Sequence, residues 1–84
     1  IRFIQSDADY TEIITSVRKY VSQEPLRYWE EYLDSKKFVR IHKSYILNIS
    51  KIQKIIGNQV QFEGNINLPI GRAYKEGFMK LVLK

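Results

Sequence analysis

Five side chains able to donate strong hydrogen bonds fall in two short runs, Arg40, His42 and Lys43, then Arg72 and Lys75. A guanidinium offers a rigid fork of donors that meets two acceptors at once, whereas an ammonium is a point charge on a flexible stem. The chemistry on offer is recognition of anionic or acceptor-rich surfaces. Bond-making chemistry finds little to work with. His42 is the one histidine and there is no cysteine, so neither a disulfide framework nor a zinc-type ligand set can be assembled. Ser44 lies two residues from His42, but nucleophilic catalysis needs an oriented base, a geometry that spacing alone does not supply. The four glycines are scattered and build no phosphate-cradling loop. Asp7 and Asp9 could pair as carboxylates, yet in a Ser-Asp-Ala-Asp run they fit a turn better. The expectation is a binding protein rather than an enzyme, with no catalytic residue, no metal and no cofactor.

The charge is segregated along the chain. Residues 1–34 hold four basic and seven acidic groups, a balance of −3; residues 35–84 hold ten basic and two acidic groups, a balance of +8. From Ser35 to Lys54 there are six Lys or Arg and no acid. Such a footprint is one that nucleic-acid binders carry, although a solvated lysine-rich surface would look the same by charge alone. The reading requires that the fold gather these cations on one exposed surface with Arg72 pointing outward.

The elements that must position these groups are short. Eighty-four residues, 44% apolar and 27% charged, make one domain with a modest core, 1–84, with no apolar run long enough to span a bilayer and no signal peptide. The abrupt start at Ile1-Arg2-Phe3-Ile4 reads as a strand already under way, the mark of a fragment of a longer chain. Residues 1–5 and Tyr10 to Val17 read as two strands around a polar turn, with another short strand within 18–22. Ser22 to Asp34 reads as a helix, with Leu26, Trp29 and Leu33 on one stripe and Glu30, Glu31 and Asp34 largely on the other face. Trp29 is a core anchor in this reading. Phe38 to Ile41 is a short strand, and Lys43 to Ile52 fits a short helix. Gly57-Asn58 and Gly64-Asn65 each separate two strand-like runs as type II′ hairpin turns. Ile66, Leu68 and Ile70 alternate with Asn65, Asn67 and Pro69, so that strand has one wet face and lies at an edge or ends at the proline. Gly71 to Leu83 closes the chain as an amphipathic helix with Tyr74, Phe78, Leu81 and Val82 on its apolar side. The fold class is mostly β with two or three short helices, built of antiparallel β-strands and hairpins.

None of the common nucleic-acid motifs is present: no zinc-finger spacing, no basic zipper, no aromatic ribonucleoprotein motif, and no pair of helices fit for a helix-turn-helix. The run from Phe38 to Asn48 carries a different signature. Phe38, Arg40 and His42 alternate; a basic residue (Lys43), a serine (Ser44), an aromatic (Tyr45), two apolar residues and Asn48 follow. This resembles the signature of the LytTR family, the LytR/AlgR-type DNA-binding domains of bacterial response regulators. Leu68-Pro69-Ile70-Gly71-Arg72-Ala73-Tyr74-Lys75 is similar to a second family motif, with Gly71 where a serine is common. Phe3 to Ser6 and Asp9-Tyr10 give a third, weaker match.

The resemblance implies a LytTR-like fold that binds double-stranded DNA from one side, its loops entering successive major grooves. It implies DNA contacts from Asp9 and Tyr10 in the first loop, from Lys43 and from Arg72. Arg40 and Lys75 are phosphate partners nearby, and His42 is structural or interfacial, with DNA contact a further option. Arg72 at the first turn of the last helix could grip guanine O6 and N7, and backbone N–H groups there favour a phosphate. The resemblance further implies a cytoplasmic transcription regulator of a two-component system, with a receiver or other sensor domain N-terminal to this fragment and a dimer on repeated sites. A protein-interaction module using its basic face and an RNA-binding domain are the rival readings.

Overall fold

Runs rich in Ile, Val, Tyr and Thr, broken by Gly-Asn, Ser-Asp and Pro, fold into a two-sheet structure. The computed structural model describes residues 1–7, 10–62 and 64–82. Among these, β1 (Phe3–Asp7), β2 (Tyr10–Ile14) and β3 (Lys19–Ser22) lead to helix α1 (Leu26–Tyr32). Then follow β4 (Phe38–His42), β5 (Tyr45–Asn48), a 3-10 turn (Ile49–Lys51), β6 (Ile52–Ile56), β7 (Gln59–Phe62), β8 (Ile66–Pro69) and helix α2 (Arg72–Val82). The first five strands form one sheet in the order β3-β2-β1-β5-β4, and the last three form a second in the order β6-β7-β8. All pairings are antiparallel.

Successive residues of a strand point to opposite faces, and here both faces of the larger sheet are buried along its middle strands β1 and β5. Phe3 and its partner Leu47 enter the main core with Ile41, Val60, Phe62, Leu68, Ile70 and Phe78. Their neighbours Ile4 and Ile46, also paired, enter a smaller core with Leu26 of α1. The sheet is thus sandwiched between α1 on one side and the second sheet with α2 on the other. Removing a ring as enclosed as Phe78 typically costs about 3–5 kcal/mol.

The mostly-β reading with two α-helices holds, and four local expectations are corrected. Tyr45 to Asn48 is a strand, not part of a helix; only Ile49–Lys51 turns helically. Ile46 and Leu47 are buried on opposite faces, so the apolar run lacked the alternation that marks a half-wet strand. Helix α1 is shorter than expected, because β3 occupies the chain to Ser22 and Pro25 supplies the N-cap position. Trp29 and Leu33 do pack beside Leu26 in the smaller core. Phe62 pairs with Ile66, and Asn65 as well as Gly64 has positive φ, so that connection is not a type II′ turn. In α2, Phe78 is buried while Leu81 is exposed; Met79 joins the core instead. Pro69 is the last residue of edge strand β8, as its missing N–H demands.

Candidate nucleic-acid interface

Lys43 and Ser44 form the two-residue turn between β4 and β5. Two-residue hairpins favour turns with positive φ, whose twist matches that of the strands. Neither Lys43 nor Ser44 has positive φ. The ladder instead slips beside the turn: Arg40 pairs with Ile46, and His42 with Tyr45, so Ile41 is an extra residue in β4. A bulge of this kind increases local twist. Side chains complete the turn. Arg40 Nε donates to the His42 carbonyl at 3.2 Å and Nη2 to the Lys43 carbonyl at 2.7 Å. The Ser44 N–H donates to His42 Nδ1 at 3.1 Å.

The start of α2 is tied to this turn. The Gly71 N–H donates to the Ile41 carbonyl at 2.6 Å, at the bulge itself. A Cβ on residue 71 would lie 3.3 Å from His42 Cα and 3.2 Å from the Tyr74 ring, so glycine permits the close approach. One residue earlier, the Ile70 N–H donates to the Asn58 carbonyl at 2.7 Å, fastening the β6–β7 turn. On the other flank the Ser6 N–H donates to the Ser44 carbonyl at 2.9 Å, which brings in the end of β1. Four chain segments are therefore linked edge to edge by main-chain hydrogen bonds.

Their side chains line three adjoining hollows. Ser6, Tyr10, Arg27, Arg40 and Lys43 line the first. Lys43 continues into the second, with His42, Gly71 and Arg72. Arg72 continues into the third, with Asn58 and Lys75. Lys43 and Arg72 are thus the shared walls of one continuous strip. Both are exposed, and among the described residues no carboxylate pairs with either. Lys75 reaches across the strip to donate to Asn58 Oδ1.

Of the residues singled out in the sequence, Tyr10, Arg40, His42, Lys43, Arg72 and Lys75 come together here, while Asp9 lies outside the described residues. Arg40, expected beside a phosphate, has its side chain turned inward and 18% exposed; besides the two carbonyls it pairs with Glu30 at 3.1 Å and lies over the Tyr74 ring at 5.5 Å. His42 is half-buried, with one ring nitrogen engaged and its ring against Tyr45. The Asp7 carboxylate beside Tyr10, as hydrogen-bond partner and then as charge, pushes the phenol pKa up, with Glu12 adding to it. Arg27 and Asn58 were missed as members of the strip. Arg27 sits on an otherwise acidic helix, and Asn58 carried only a turn signal.

The cations of the carboxy-terminal half are not all gathered. Lys36 and Lys37 line a hollow with Ile1, Asn48 and Ser50, at the far end of β4 from Lys43. Five strand residues separate the two ends, roughly 17 Å. Lys54 lines another hollow with Leu81 and Val82. The signature residue Asn48 is structural: its Nδ2 donates to the Ile1 carbonyl at 2.7 Å and its Oδ1 accepts from the Ser50 N–H at 3.0 Å.

A family model described as the LytTr DNA-binding domain matches residues 1–83. The transcriptional regulatory protein LytR of Staphylococcus aureus (strain N315) is 32% identical over 73 residues, covering 81% of this chain and 30% of that protein. The sensory transduction protein LytR of Staphylococcus saprophyticus is 26% identical over 77 residues, covering 86% of this chain and 30% of its own. The chain thus spans about a third of the length of these relatives. The LytTr DNA-binding domain of a putative methyl-accepting/DNA response regulator from Bacillus cereus shares the fold, with a TM-score of 0.93 at 20% identity over 98% of this chain and 80% of that one.

Proposed function

The chain belongs to the LytTr DNA-binding domain family, and from that premise we propose that it reads a specific double-stranded DNA site as the output domain of a response-regulator transcription factor. One observation carries the reading: Lys43 and Arg72, both exposed and free of carboxylate partners among the described residues, stand side by side on segments locked together through the bulge in β4. Arg72 grips a guanine edge in the major groove, because its fork matches O6 and N7. Lys43 and Lys75 meet phosphates or acceptor edges beside it, and the Asp9–Tyr10 loop enters a neighbouring stretch of groove. His42 shapes the turn and lies close enough to approach the duplex. Phosphate contacts set the register of the domain, and the few base contacts choose the sequence.

The wider role follows the same reading. A receiver or other sensor domain precedes this unit in the full-length protein, and two copies bind repeated sites in the cytoplasm. The unit itself contributes binding and no catalysis.

Selection from a random duplex pool tests this directly. A reproducible motif is the expected result, with competition by single strands and RNA much weaker than by the selected duplex. Neutralisation of about four to six phosphates gives a slope of log K against log salt near −4 to −5. An unenriched pool, or a flat salt response, would overturn the reading in favour of a protein partner.

A further inference from the structure

We infer that Arg40 is a positioning residue for DNA discrimination, holding Lys43 and the start of α2 in reading geometry from the wall of the first hollow rather than meeting a phosphate itself. The inference rests on the DNA-binding reading above. Four observations support it. The turn it serves lacks the positive φ that would close a two-residue hairpin unaided. At the bulge and turn the carbonyl of residue 41 accepts from a main-chain N–H outside the hairpin, and those of residues 42 and 43 accept from a side chain of β4 itself. Gly71 meets the first, and Arg40 meets the other two with two different nitrogens. The same guanidinium lies over the Tyr74 ring of α2 and is held from behind by Glu30 of α1.

The geometry makes Arg40 the point where three elements converge. Its own strand carries the turn, Tyr74 belongs to the helix that carries Arg72, and Glu30 fixes the guanidinium plane. A bidentate base contact tolerates little displacement, so a loosened turn harms discrimination before it harms bulk attraction to phosphate. A phosphate ligand would behave in the opposite way, because a backbone contact is shared by every duplex.

Arg40→Lys separates the two roles. Lysine keeps the charge but is a single point donor and cannot bridge two carbonyls and a carboxylate in a fixed plane. Wild type and R40K are compared on the selected duplex and on random duplex across a salt series, well below the thermal midpoint of each. Amide hydrogen exchange is measured at Ser44 and through β7. Binding of the selected duplex is expected to fall at least tenfold, random duplex to change less than threefold, and the salt slope to stay within about 0.5 of wild type. The Ser44 amide is expected to exchange at least tenfold faster, with β7 unchanged. A fold merely weakened would lower both duplexes together and leave their ratio intact. Selected-duplex binding within threefold of wild type in R40K overturns the inference. So does an equal loss on both duplexes in Arg40→Ala with the salt slope reduced by about one, the mark of a phosphate contact. Failure of the wild type to bind any duplex would instead sink the DNA reading, and Ser44 exchange would still decide whether Arg40 holds the turn.

Discussion

Two hairpin turns flank the start of α2, and they are closed by different means. At Gly57-Asn58 the backbone does the work: Gly57 sits at φ 58°, where a side chain would be strained, and nothing crowds the position a Cβ would take. At Lys43-Ser44 the backbone is ordinary, and the work falls to Arg40 and His42. Each hairpin accepts a main-chain bond from the Ile70–Gly71 segment, at Asn58 in the first and at Ile41 beside the turn in the second. The first turn relies on the conformation of its glycine. The second leaves Lys43 unconstrained by turn chemistry and so able to present a cation. A turn that must display a particular side chain is stabilised from elsewhere.

The largest break in this comparison should come at Arg72, the residue both turns support. Arg72→Ala is expected to lose about 1–3 kcal/mol of binding on the selected site, and far less on random duplex. Equal loss on every duplex, measured by fluorescence anisotropy, would reduce Arg72 to a phosphate contact. Next comes Gly57→Ala, expected to lower folding stability by about 1–2 kcal/mol, since a left-handed conformation is costly for any residue with a Cβ. Its ratio of selected to random binding should not move; a changed ratio in chemical denaturation-matched samples would show that the turn reads DNA. Lys43→Ala should give the converse result. Stability stays within about 0.5 kcal/mol, as for ordinary surface changes, while binding weakens and the salt slope falls by about 0.9 for each phosphate lost. Unchanged binding would remove Lys43 from the interface.

The smallest effect lies away from both turns, on β2 and β3. Lys19 at 2.9 Å, with Gln5 at 2.7 Å, holds the Glu12 carboxyl below its ordinary range, and Glu12 in turn raises the Lys19 ammonium. The folded form therefore gains from Glu12 above the ordinary carboxylate pKa, and the gain fades as pH falls through the lowered value. For Lys19 the gain is complete below its ordinary pKa and fades as pH rises through the raised one. Glu12→Gln should flatten the acid limb of a stability–pH profile and leave duplex binding at neutral pH untouched. A steeper acid limb would assign acid sensitivity to another carboxylate.

Much of this was legible in the residues. The two hairpins of the second sheet, the edge role of Pro69 and the amphipathic last helix follow from turn chemistry and periodicity. The cationic site was legible through Arg72, Lys43 and Lys75, because their spacing matched a signature. What stayed hidden had a common cause. Strand β5 is buried on both faces, so no period-2 pattern betrayed it. The inward turn of Arg40 depends on Glu30 and Tyr74, ten residues before and thirty-four after it, and no local pattern carries such a partnership. Charge counting likewise placed Lys36 and Lys37 with Lys43, although a whole strand holds them apart.

The doubly covered sheet has a mechanical consequence. Phe3 and Ile4 are chain neighbours, as are Ile46 and Leu47, yet each pair is divided between the two apolar clusters. The same two strands, β1 and β5, form a wall of both, which couples the two clusters. The domain should therefore melt in one cooperative transition, with damage to either cluster felt in the other.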